Sequence, residues 1–581
     1  MFVLNEEQKK YVECLDDSLV IACPGSGKTR SICLKVSYLL EQNANPRDHV
    51  AVLTFTNRAA DEIFDRISLT TQIPKNLWLG TIHSFCLEWI LRSFQNEIEH
   101  LSRGFTLADE FTQYKILGEL KTKYKVNPYD NINTKLDTNG AYLEKDQTKI
   151  NILKEYHKEL KRLALIDYDQ VLYFCYLFLK NNQRAATMLG NLFKWIIVDE
   201  YQDTQELQYQ IIGLLKKFNR FLKVSFVGDP DQAIFAGLGG IAYNKASLEK
   251  ICGVSFKEHQ LVGCYRSSQK IIDYYSKYKA QNGSIKSLAN ITHSTFIKYN
   301  NTISKDSLSL AILSIIRHEL SSGVVDKDIC VLSPQWDNLK EIALELKRQA
   351  PDISIDAPGV SPISKNRENI WFPLSKILLT ESSPENFRRR MKWAREAIQF
   401  ISDLRGSPLE MSALSFLEVV NLSKSSNTKG IEFLSDSIQK TLSFVGVDLA
   451  LNELANERFN TFLEGTKKRL TDYSIPDDVD TFRSFYKESE GIVLSSFHGV
   501  KGEEYEVVIA VGLLKGKVPH WDVVINESIG VQNSEANKLL YVISSRAKSR
   551  LYLFSETGYK TKGGKAYEPT TQLTQNYFYD P

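Results

Sequence analysis

The chain has 581 residues. A single hydrophobic core rarely supports a chain of this length, so several domains are expected. Its composition, 43% hydrophobic and 24% charged, is typical of a globular protein. With a formal net charge of +2, the chain has no general attraction for polyanions, so a nucleic-acid groove would have to be a local basic patch.

The N-terminus and the cysteines indicate the compartment. The first residues, Met-Phe-Val-Leu-Asn-Glu, contain no secretory signal, and no apolar run approaches the roughly 20 residues that a membrane helix needs. The eight cysteines form no Cys-x-x-Cys pair, which argues against a zinc ribbon, an iron–sulfur cluster or a disulfide framework. We therefore expect a cytoplasmic protein with no membrane partner.

The first elements alternate between strand and helix. Residues 18–22 form a short apolar strand, a glycine-rich turn follows, and a helix is expected from 29 to about 40. A second strand covers 49–55 and a second helix 58–67. This strand–turn–helix order predicts a parallel sheet with a phosphate site at a helix N-terminus.

Sheet and helical regions alternate along the rest of the chain. A polar, helical region after residue 85 predicts an insertion, and the sheet resumes at 195–199 and 224–228. A second α/β unit starts near Phe256 and includes a strand at 328–332. After a helical, charge-rich stretch, its further strands are expected at 491–496, 506–512 and 550–554.

This pattern predicts an α/β fold with two P-loop NTPase domains, each built on a parallel sheet and each carrying a helical insertion. The expected division has five parts: a first motor domain (1–85 and 191–255), a helical insertion subdomain (86–190), a second motor domain (256–364 and 486–560), a reduced helical accessory domain (365–485) and a C-terminal tail (561–581).

Two separated segments predict one ATP site. In the first, between a strand and a helix, Lys28 is expected to bridge the β- and γ-phosphates and Thr29 to hold Mg²⁺. In the second, after an apolar strand, Asp199 is expected to reach Mg²⁺ and Glu200 to act as general base for the attacking water. A chance glycine loop and a solvated acidic turn are the alternatives, and the strand contexts disfavour both. The residues expected to bind ATP in the first segment are Ala22, Cys23, Pro24, Gly25, Ser26, Gly27, Lys28, Thr29 and Arg30.

With these segments in place, the chain resembles the UvrD/Rep/PcrA family of superfamily 1 DNA helicases, as a compact member with a reduced accessory domain. Further segments match the family's motifs in the family's order. They are Leu-Asn-Glu-Glu-Gln at 4–8, Leu-Thr-Phe-Thr-Asn-Arg-Ala-Ala at 53–60, Gly-Thr-Ile-His-Ser-Phe at 80–85, Val-Gly-Asp-Pro-Asp-Gln-Ala-Ile-Phe at 227–235, Cys-Tyr-Arg-Ser-Ser at 264–268, Ser-Phe-His-Gly-Val-Lys-Gly-Glu-Glu-Tyr at 496–505 and Leu-Tyr-Val-Ile-Ser-Ser-Arg-Ala at 540–547. The resemblance implies that both motor domains are RecA-like.

The resemblance also implies roles at the nucleotide. Gln8 and Tyr265 would bind adenine, and Glu504 would bind the ribose. Three further residues would act at the γ-phosphate: Gln232 as a sensor, and Arg266 and Arg546 as cations from the second motor domain. A transition state with charge spread over three oxygens needs such cations, although an isolated arginine is more often part of a surface salt bridge.

For DNA, the resemblance implies a single-strand path in which aromatic side chains stack on bases and polar groups contact phosphates. Phe55 and Phe235 could instead be core residues. The residues that match the family's DNA contacts are Phe55, Thr56, Asn57, His83, Phe235, Ser496 and His498.

The chain departs from the family at two places. Where the family continues the segment 227–235 with a base-stacking aromatic residue and an arginine, this chain has Gly237 and Leu238. Residues 387–395 (Phe-Arg-Arg-Arg-Met-Lys-Trp-Ala-Arg) are strongly basic and form either a duplex or partner contact or a solvated helix face.

The sequence therefore predicts an ATP- and Mg²⁺-dependent helicase that moves on single-stranded DNA or at single-strand/duplex junctions, with 3′→5′ polarity implied by the family. Two alternatives stay open: a helicase-like subunit that works with a nuclease partner in bacterial antiphage defence, and a nucleotide-gated DNA sensor with little turnover. An RNA helicase is disfavoured because Asp-Glu-Tyr-Gln at 199–202 departs from the Asp-Glu-Ala-Asp type.

Overall fold

The structure is a computed structural model of the 581-residue chain. It describes residues 4–42, 45, 47–68, 74–108, 110–219, 221–357, 359–363, 371–384, 386–405, 407–486, 491–561, 563–575 and 577–581. The chain folds into two compact units. Unit 1 comprises Met1–Ala108, Thr112–Phe296 and Val523–Arg550, and unit 2 comprises Asp109–Phe111, Ile297–Asp522 and Leu551–Pro581.

Unit 1 is built on a six-stranded sheet, called the first sheet below. All five neighbouring strand pairs in it are parallel, so the carboxyl ends of the strands meet at one edge, where ligands bind in open α/β sheets. In spatial order its strands are Leu77–Thr81, His49–Thr54, Phe193–Asp199, Lys223–Gly228, Ser18–Ala22 and Lys257–Leu261.

Helices connect these strands, as parallel pairing requires. Asn5 caps the first of them in a reciprocal capping box with Gln8. Among the described residues, the α-helices of unit 1 outside residues 86–190 are Glu6–Val12, Lys28–Gln42, Asn57–Ser68, Ile82–Phe85, Glu206–Lys217, Lys245–Cys252, Gln269–Ser276 and Ile529–Ser544.

The region at 86–190 is helical, as expected, but it contributes to two cores. Side chains from Tyr168–Asn181 and Gln183–Leu192 are buried in the same cluster as the first sheet. A separate small core joins residues of Glu110–Lys123 and Gln147–Arg162, including Ile116, Ile152 and Leu160. The region also contains the π-helix Cys86–Leu91, the 3-10 helix Gln95–Glu97 and two short strands, Thr106–Leu107 and Leu165–Ile166, which pair in parallel.

A second six-stranded sheet lies in the other half of the chain. The described pairings of its central strands are parallel. In spatial order the strands are Phe296–Asn300, Ala547–Phe554, Tyr505–Ala510, Ile329–Ser333, Ile492–Ser496 and Ile355–Asp356. With two parallel sheets and a P-loop between a strand and a helix of the first, the predicted α/β class is confirmed.

Unit 2 contains the helices Lys305–Ser321, Trp336–Gln349, Trp371–Leu379, Phe387–Arg405, Ala413–Leu422, Gly430–Phe444, Glu453–Tyr473 and Val479–Ser484, and the helix Trp521–Asn526 begins in it. Helices from Trp371–Leu379 to Val479–Ser484 bury a core of their own around Trp371, Phe416 and Phe482. This helical core occupies the part of the chain predicted as the accessory domain. Among the described residues, no helix is long and apolar enough to span a membrane.

Two segments pack with residues far away in sequence. The strand Lys257–Leu261, which the predicted division places in the second motor domain, pairs in parallel with Ser18–Ala22 at the edge of the first sheet. Val523–Arg550, predicted for the same domain, belongs to unit 1. The five-part division itself stays a prediction.

The predicted tail is packed against unit 2. Asp580 closes the edge of the second sheet, because its side chain and its amide both bond to Ile297 at 2.7 and 2.9 Å. The Thr570 hydroxyl donates to the Val518 carbonyl at 3.0 Å, and Leu573 is buried. These contacts make residues after 561 part of the folded unit.

Candidate functional site

The phosphate loop connects the strand Ser18–Ala22 to the helix Lys28–Gln42. Gly25 and Gly27 have φ of +72° and +76°, a region that residues with a side chain rarely adopt. A Cβ atom on Gly25 would also lie 2.5 Å from Cβ of Arg266. Glycine is therefore required here by backbone conformation and by the close approach of the arginine, and the loop leads directly into a helix N-terminus, which is where phosphate groups bind.

Lys28 lies against the two carboxylates predicted for magnesium and water. Its Nζ is 3.4 Å from Oδ1 of Asp199 and also contacts Oε1 of Glu200. Burial would lower the pKa of Lys28, but the two carboxylates raise it above its ordinary value, so the ammonium is charged. Burial likewise holds the pKa of Asp199 above its usual range, although Lys28 opposes that shift.

Glu200 is held by its backbone and by an amide. Its φ of +52° places it in the left-handed region, immediately after the strand Phe193–Asp199. Its Oε2 accepts a hydrogen bond from Nε2 of Gln202, and Oε1 of Gln202 accepts from the Asp229 amide at 3.1 Å. A non-glycine residue in this conformation costs about 1 kcal/mol or more, and such strain is typical of functional positions.

A buried hydrogen-bond network joins the next two predicted residues. Nη2 of Arg546 donates to Oε1 of Gln232 at 2.7 Å, and Nε2 of Gln232 donates to Oδ2 of Asp229 at 2.8 Å. The Tyr541 hydroxyl donates to the same Asp229 oxygen at 3.2 Å. Burial and the neighbouring Asp231 raise the pKa of Asp229 to about 6. The network fixes the orientation of the Gln232 amide and therefore which of its atoms faces the arginine.

Two guanidinium groups lie together in this region. Arg266 donates from Nη1 to the Ser545 carbonyl at 2.9 Å, and Arg546, 1% exposed, follows that residue in the chain. Burial lowers the pKa of Arg546, and the positive charge of Arg266 lowers it further. Two buried like charges repel each other, so an anionic group that neutralises both is favoured there.

The residues predicted for adenine flank the phosphate loop. Gln8 is buried, and its Nε2 donates to the Ser26 carbonyl at 2.9 Å. The Tyr265 amide donates to the Gly25 carbonyl at 2.8 Å, while its side chain is 41% exposed. Thr29 and Arg30 are half-buried in the first turn of the helix. Unit 1 therefore brings together all the predicted ATP-site residues except Glu504, which lies exposed in unit 2.

The donors available for a magnesium ion are few. Among the described residues, no group of three or more His, Cys, Asp and Glu side chains could hold a metal ion. That is consistent with Mg²⁺ in nucleotide sites, which takes one or two protein oxygens and completes its shell with phosphates and water. The Thr29 hydroxyl and the Asp199 carboxylate are oxygen donors of the kind that Mg²⁺ prefers.

Four of the residues predicted to bind DNA lie at the carboxyl edge of two neighbouring strands. Phe55, Thr56 and Asn57 follow His49–Thr54, and His83 follows Leu77–Thr81. The Phe55 ring packs on Phe235 with centroids 4.7 Å apart. Thr56 and Asn57 are exposed, and the two rings are half-buried, so the pair is not sealed in the core.

Ser496 and His498 belong to unit 2, where they follow the strand Ile492–Ser496. The Ser496 hydroxyl accepts from the Gly499 amide at 3.2 Å, and His498 is exposed. Both residues therefore lie at the carboxyl end of a strand of the second sheet, as Phe55 lies at the carboxyl end of a strand of the first sheet.

Sequence reasoning assigned no role to Asp229, Tyr541 and Gln202, which complete the network around Glu200 and Gln232. Asp229 and Tyr541 lie inside the segments 227–235 and 540–547, which match family motifs. The sequence therefore indicates that they lie near the nucleotide site, but it does not show which residues they contact.

The parallel sheet, the glycine loop with its positive φ angles and the carboxylates that contact Lys28 define a P-loop nucleoside triphosphatase. The model of the UvrD/REP helicase N-terminal domain matches residues 4–250, and the model of the UvrD-like helicase C-terminal domain matches residues 451–557. The two matches together span more than half of the chain, which belongs to the UvrD-like helicase family of ATP-hydrolysing enzymes.

Similar curated proteins agree with this assignment. The chain is 24% identical to an ATP-dependent DNA helicase PcrA of Staphylococcus aureus, in an alignment that covers 95% of this chain and 83% of that protein. The ATP-dependent DNA helicase PcrA of Staphylococcus epidermidis is also 24% identical, with the same shares covered.

Proposed function

We propose that this protein, an ATP-dependent DNA helicase of the UvrD/PcrA type, moves along single-stranded DNA in the 3′→5′ direction. One observation supports the proposal that ATP hydrolysis is coupled to DNA binding. The short segment 229–235 holds Gln232, bonded to Arg546, and three residues later Phe235, packed on Phe55. A change at the γ-phosphate sensor is therefore transmitted over a few covalent bonds to an aromatic pair at the DNA face.

The roles at the nucleotide follow from the contacts. Lys28 would exchange its carboxylate partners for phosphate oxygens, which frees Glu200 to accept a proton from the attacking water. Arg266 and Arg546 would neutralise charge that develops on the γ-phosphate. Mg²⁺, held by Thr29 and Asp199, would supply further neutralisation at the phosphates.

Adenine would lie between the polar Gln8 and the exposed ring of Tyr265, and Glu504 stays the ribose ligand that the family resemblance implies. Gln8 fits this role because its buried amide is already oriented by Asn5 and by the Ser26 carbonyl. The bound base therefore meets an amide that has lost its rotational freedom, which lowers the entropy cost of recognition.

On the DNA side, the Phe55–Phe235 pair would stack on bases, and Thr56, Asn57 and His83 would contact the backbone. Burial lowers the pKa of His83 to about 4, so at neutral pH its ring is uncharged and acts as a hydrogen-bonding and stacking group. Ser496 and His498 stay predicted DNA contacts, on the evidence of the family resemblance and their place after a strand of the second sheet. Stacking and backbone contacts tolerate any sequence, as movement along DNA requires.

The test measures ATP hydrolysis with and without a dT oligonucleotide, and then movement. On a dT strand with streptavidin bound at one end, a 3′→5′ motor displaces streptavidin from the 5′ end and not from the 3′ end. We expect strong stimulation by single-stranded DNA and displacement from the 5′ end only. Stimulation with displacement from the 3′ end would overturn the polarity, and hydrolysis that no DNA stimulates would overturn the DNA-driven motor.

The five-part domain division and the cytoplasmic location remain predictions and are part of this proposal. The cytoplasmic location is supported by the eight cysteines, all of which are free thiols. The nuclease partner and the defence role also remain predictions. Co-purification of a nuclease with the tagged chain from its own host would support them, and a chain that unwinds duplex DNA alone at full rate would argue against a dependent subunit.

A further inference from the structure

The turn that follows Phe235 carries no aromatic or basic side chain of its own. The segment Ala236–Leu238 forms a single 3-10 turn, in which Gly237 stands where the family places a stacking aromatic and Leu238 where it places an arginine. Leu238 is 56% exposed. At this place, therefore, the turn itself offers DNA neither a ring nor a positive charge.

A lysine from the inserted region reaches this turn. Nζ of Lys135 donates to the Leu238 carbonyl, which also accepts from Nε2 of Gln205 at 3.2 Å. An ammonium group has three N–H donors. Within the described part of the chain, no carboxylate lies within ion-pair distance of Lys135, so its charge is brought to the turn without a direct counterion.

An aromatic ring from the same region lies beside a predicted DNA contact. Tyr168 is the first residue of its helix, which Asp167 caps in a reciprocal box with Gln170. Its ring centroid is 5.8 Å from that of His83 at an interplanar angle of 71°, and the residue is 38% exposed. The cap fixes the backbone at Tyr168, so the ring starts from a defined position at the surface beside His83.

His83 connects these residues to the aromatic pair. It follows the strand whose Thr81 pairs with Thr54, and Phe55 comes directly after Thr54, so His83 and Phe55 leave the first sheet at the same edge. The pKa of His83 is lowered mainly by burial and also by the positive charge of Lys135. The carboxylate of Asp169 opposes this shift, and it accepts a hydrogen bond from the Thr134 hydroxyl.

We propose that Tyr168 and Lys135 form a stacking and phosphate-binding position for single-stranded DNA beside His83, in place of the aromatic residue and the arginine that the turn Ala236–Leu238 lacks. The proposal rests on the proposed function, because it names a further subsite on the same DNA path. Tyr168 supplies the ring, and Lys135 supplies the charge while it also holds the turn through the Leu238 carbonyl.

The experiment measures binding of the full chain to a fluorescent dT oligonucleotide over a range of salt concentrations. Since stacking contributes about 1–3 kcal/mol per base, Tyr168→Ala should weaken binding by about fivefold or more, and Tyr168→Phe should restore it. Since one phosphate contact on a single strand contributes about 0.7 to the salt slope, Lys135→Gln should lower that slope by this amount.

Matched controls come from the same inserted region. Tyr129→Ala removes an exposed ring, and Lys145→Gln removes an exposed lysine, neither of them near His83 in any described contact. Both controls should bind DNA like the wild type. A dT strand with single 2-aminopurine substitutions adds a second readout, because a base stacked on Tyr168 is quenched at one position, and that quenching should be lost in Tyr168→Ala and kept in Tyr168→Phe.

The outcomes separate the two proposals. If the wild type binds DNA while Tyr168→Ala and Lys135→Gln match it in affinity, salt slope and quenching, this subsite is refuted and the DNA-driven motor stands. If the wild type itself does not bind single-stranded DNA, both proposals fall. Should thermal melting show that Tyr168→Ala is unfolded, the salt slope of Lys135→Gln decides alone, and an unchanged slope overturns the subsite.

Discussion

Glu200→Gln tests the assignment of the general base most sharply. The change replaces one carboxylate oxygen by an NH₂ group of nearly the same size at a residue whose φ is +52°, so the backbone strain is the same in both proteins. It removes the negative charge that contacts Lys28, while the oxygen of the new amide can still accept the hydrogen bond that Gln202 donates to Oε2. The variant should therefore fold like the wild type and differ in chemistry.

The expected effects on catalysis and binding have opposite signs. Loss of a positioned base lowers kcat by about 10²–10⁴-fold, which corresponds to roughly 3–5 kcal/mol in the barrier. ATP affinity should be equal or tighter, because Lys28 then has one carboxylate partner, Asp199, and its ammonium is more available to phosphate. A defect that lowered both quantities would indicate damage to the whole site instead.

The assay is steady-state hydrolysis at saturating ATP and dT, with ATP affinity measured separately by equilibrium binding. Glu119→Gln, at an exposed position in the inserted region, is the control for loss of one negative charge and should leave both quantities unchanged. A kcat for Glu200→Gln within about tenfold of the wild type would refute the base assignment. Loss of ATP binding would refute the argument about Lys28.

Three further predictions follow from the same contacts. Arg546→Lys keeps the positive charge but loses the forked guanidinium that reaches Gln232. In the hydrolysis assay kcat should fall about 10³-fold or more, while ADP affinity changes little. A near-normal kcat would contradict the role of Arg546 at the γ-phosphate. Gly25→Ala places a Cβ 2.5 Å from Cβ of Arg266 at a φ of +72°. Thermal melting should therefore show a free energy of unfolding lower by at least about 1–2 kcal/mol, and ATP binding should be lost. An unchanged melting temperature would contradict the packing argument. Burial lowers the pKa of Lys35 to about 8, below that of an unfolded lysine. Between about pH 8 and pH 10 the unfolded state therefore binds more protons than the folded state, and the free energy of unfolding rises with pH. The melting temperature of the wild type relative to Lys35→Met should increase over that window, and a constant difference would show that the amine is not titrating.

Local chain patterns were sufficient for the nucleotide half of the molecule. The apolar strand, the glycine loop and the helix behind Lys28 were predicted in order, and the strand 18–22 has the predicted bounds. The strand before Asp199 starts two residues earlier than expected, at Phe193, because its first residues are buried by helices far away in sequence. Periodicity and turn chemistry act over a few residues, so a single sequence exposes them directly.

Motif order extended the prediction to residues with no local signal. Nothing near Arg546 distinguishes it from a surface arginine, and its assignment depended on the resemblance. The contact with Gln232 agrees with that assignment, whereas the same resemblance gave no indication that Asp229 and Tyr541 complete the network.

Short-range conformational preferences were enough to predict the phosphate loop, the two carboxylates after the strand Phe193–Asp199 and the parallel α/β class. They gave no indication that Lys257–Leu261 completes the first sheet or that Tyr168 lies against His83. Both contacts depend on which buried surfaces meet after the chain has folded. Such packing is stabilised by pairs of residues far apart in sequence, and a pattern along the chain does not show which residues pair.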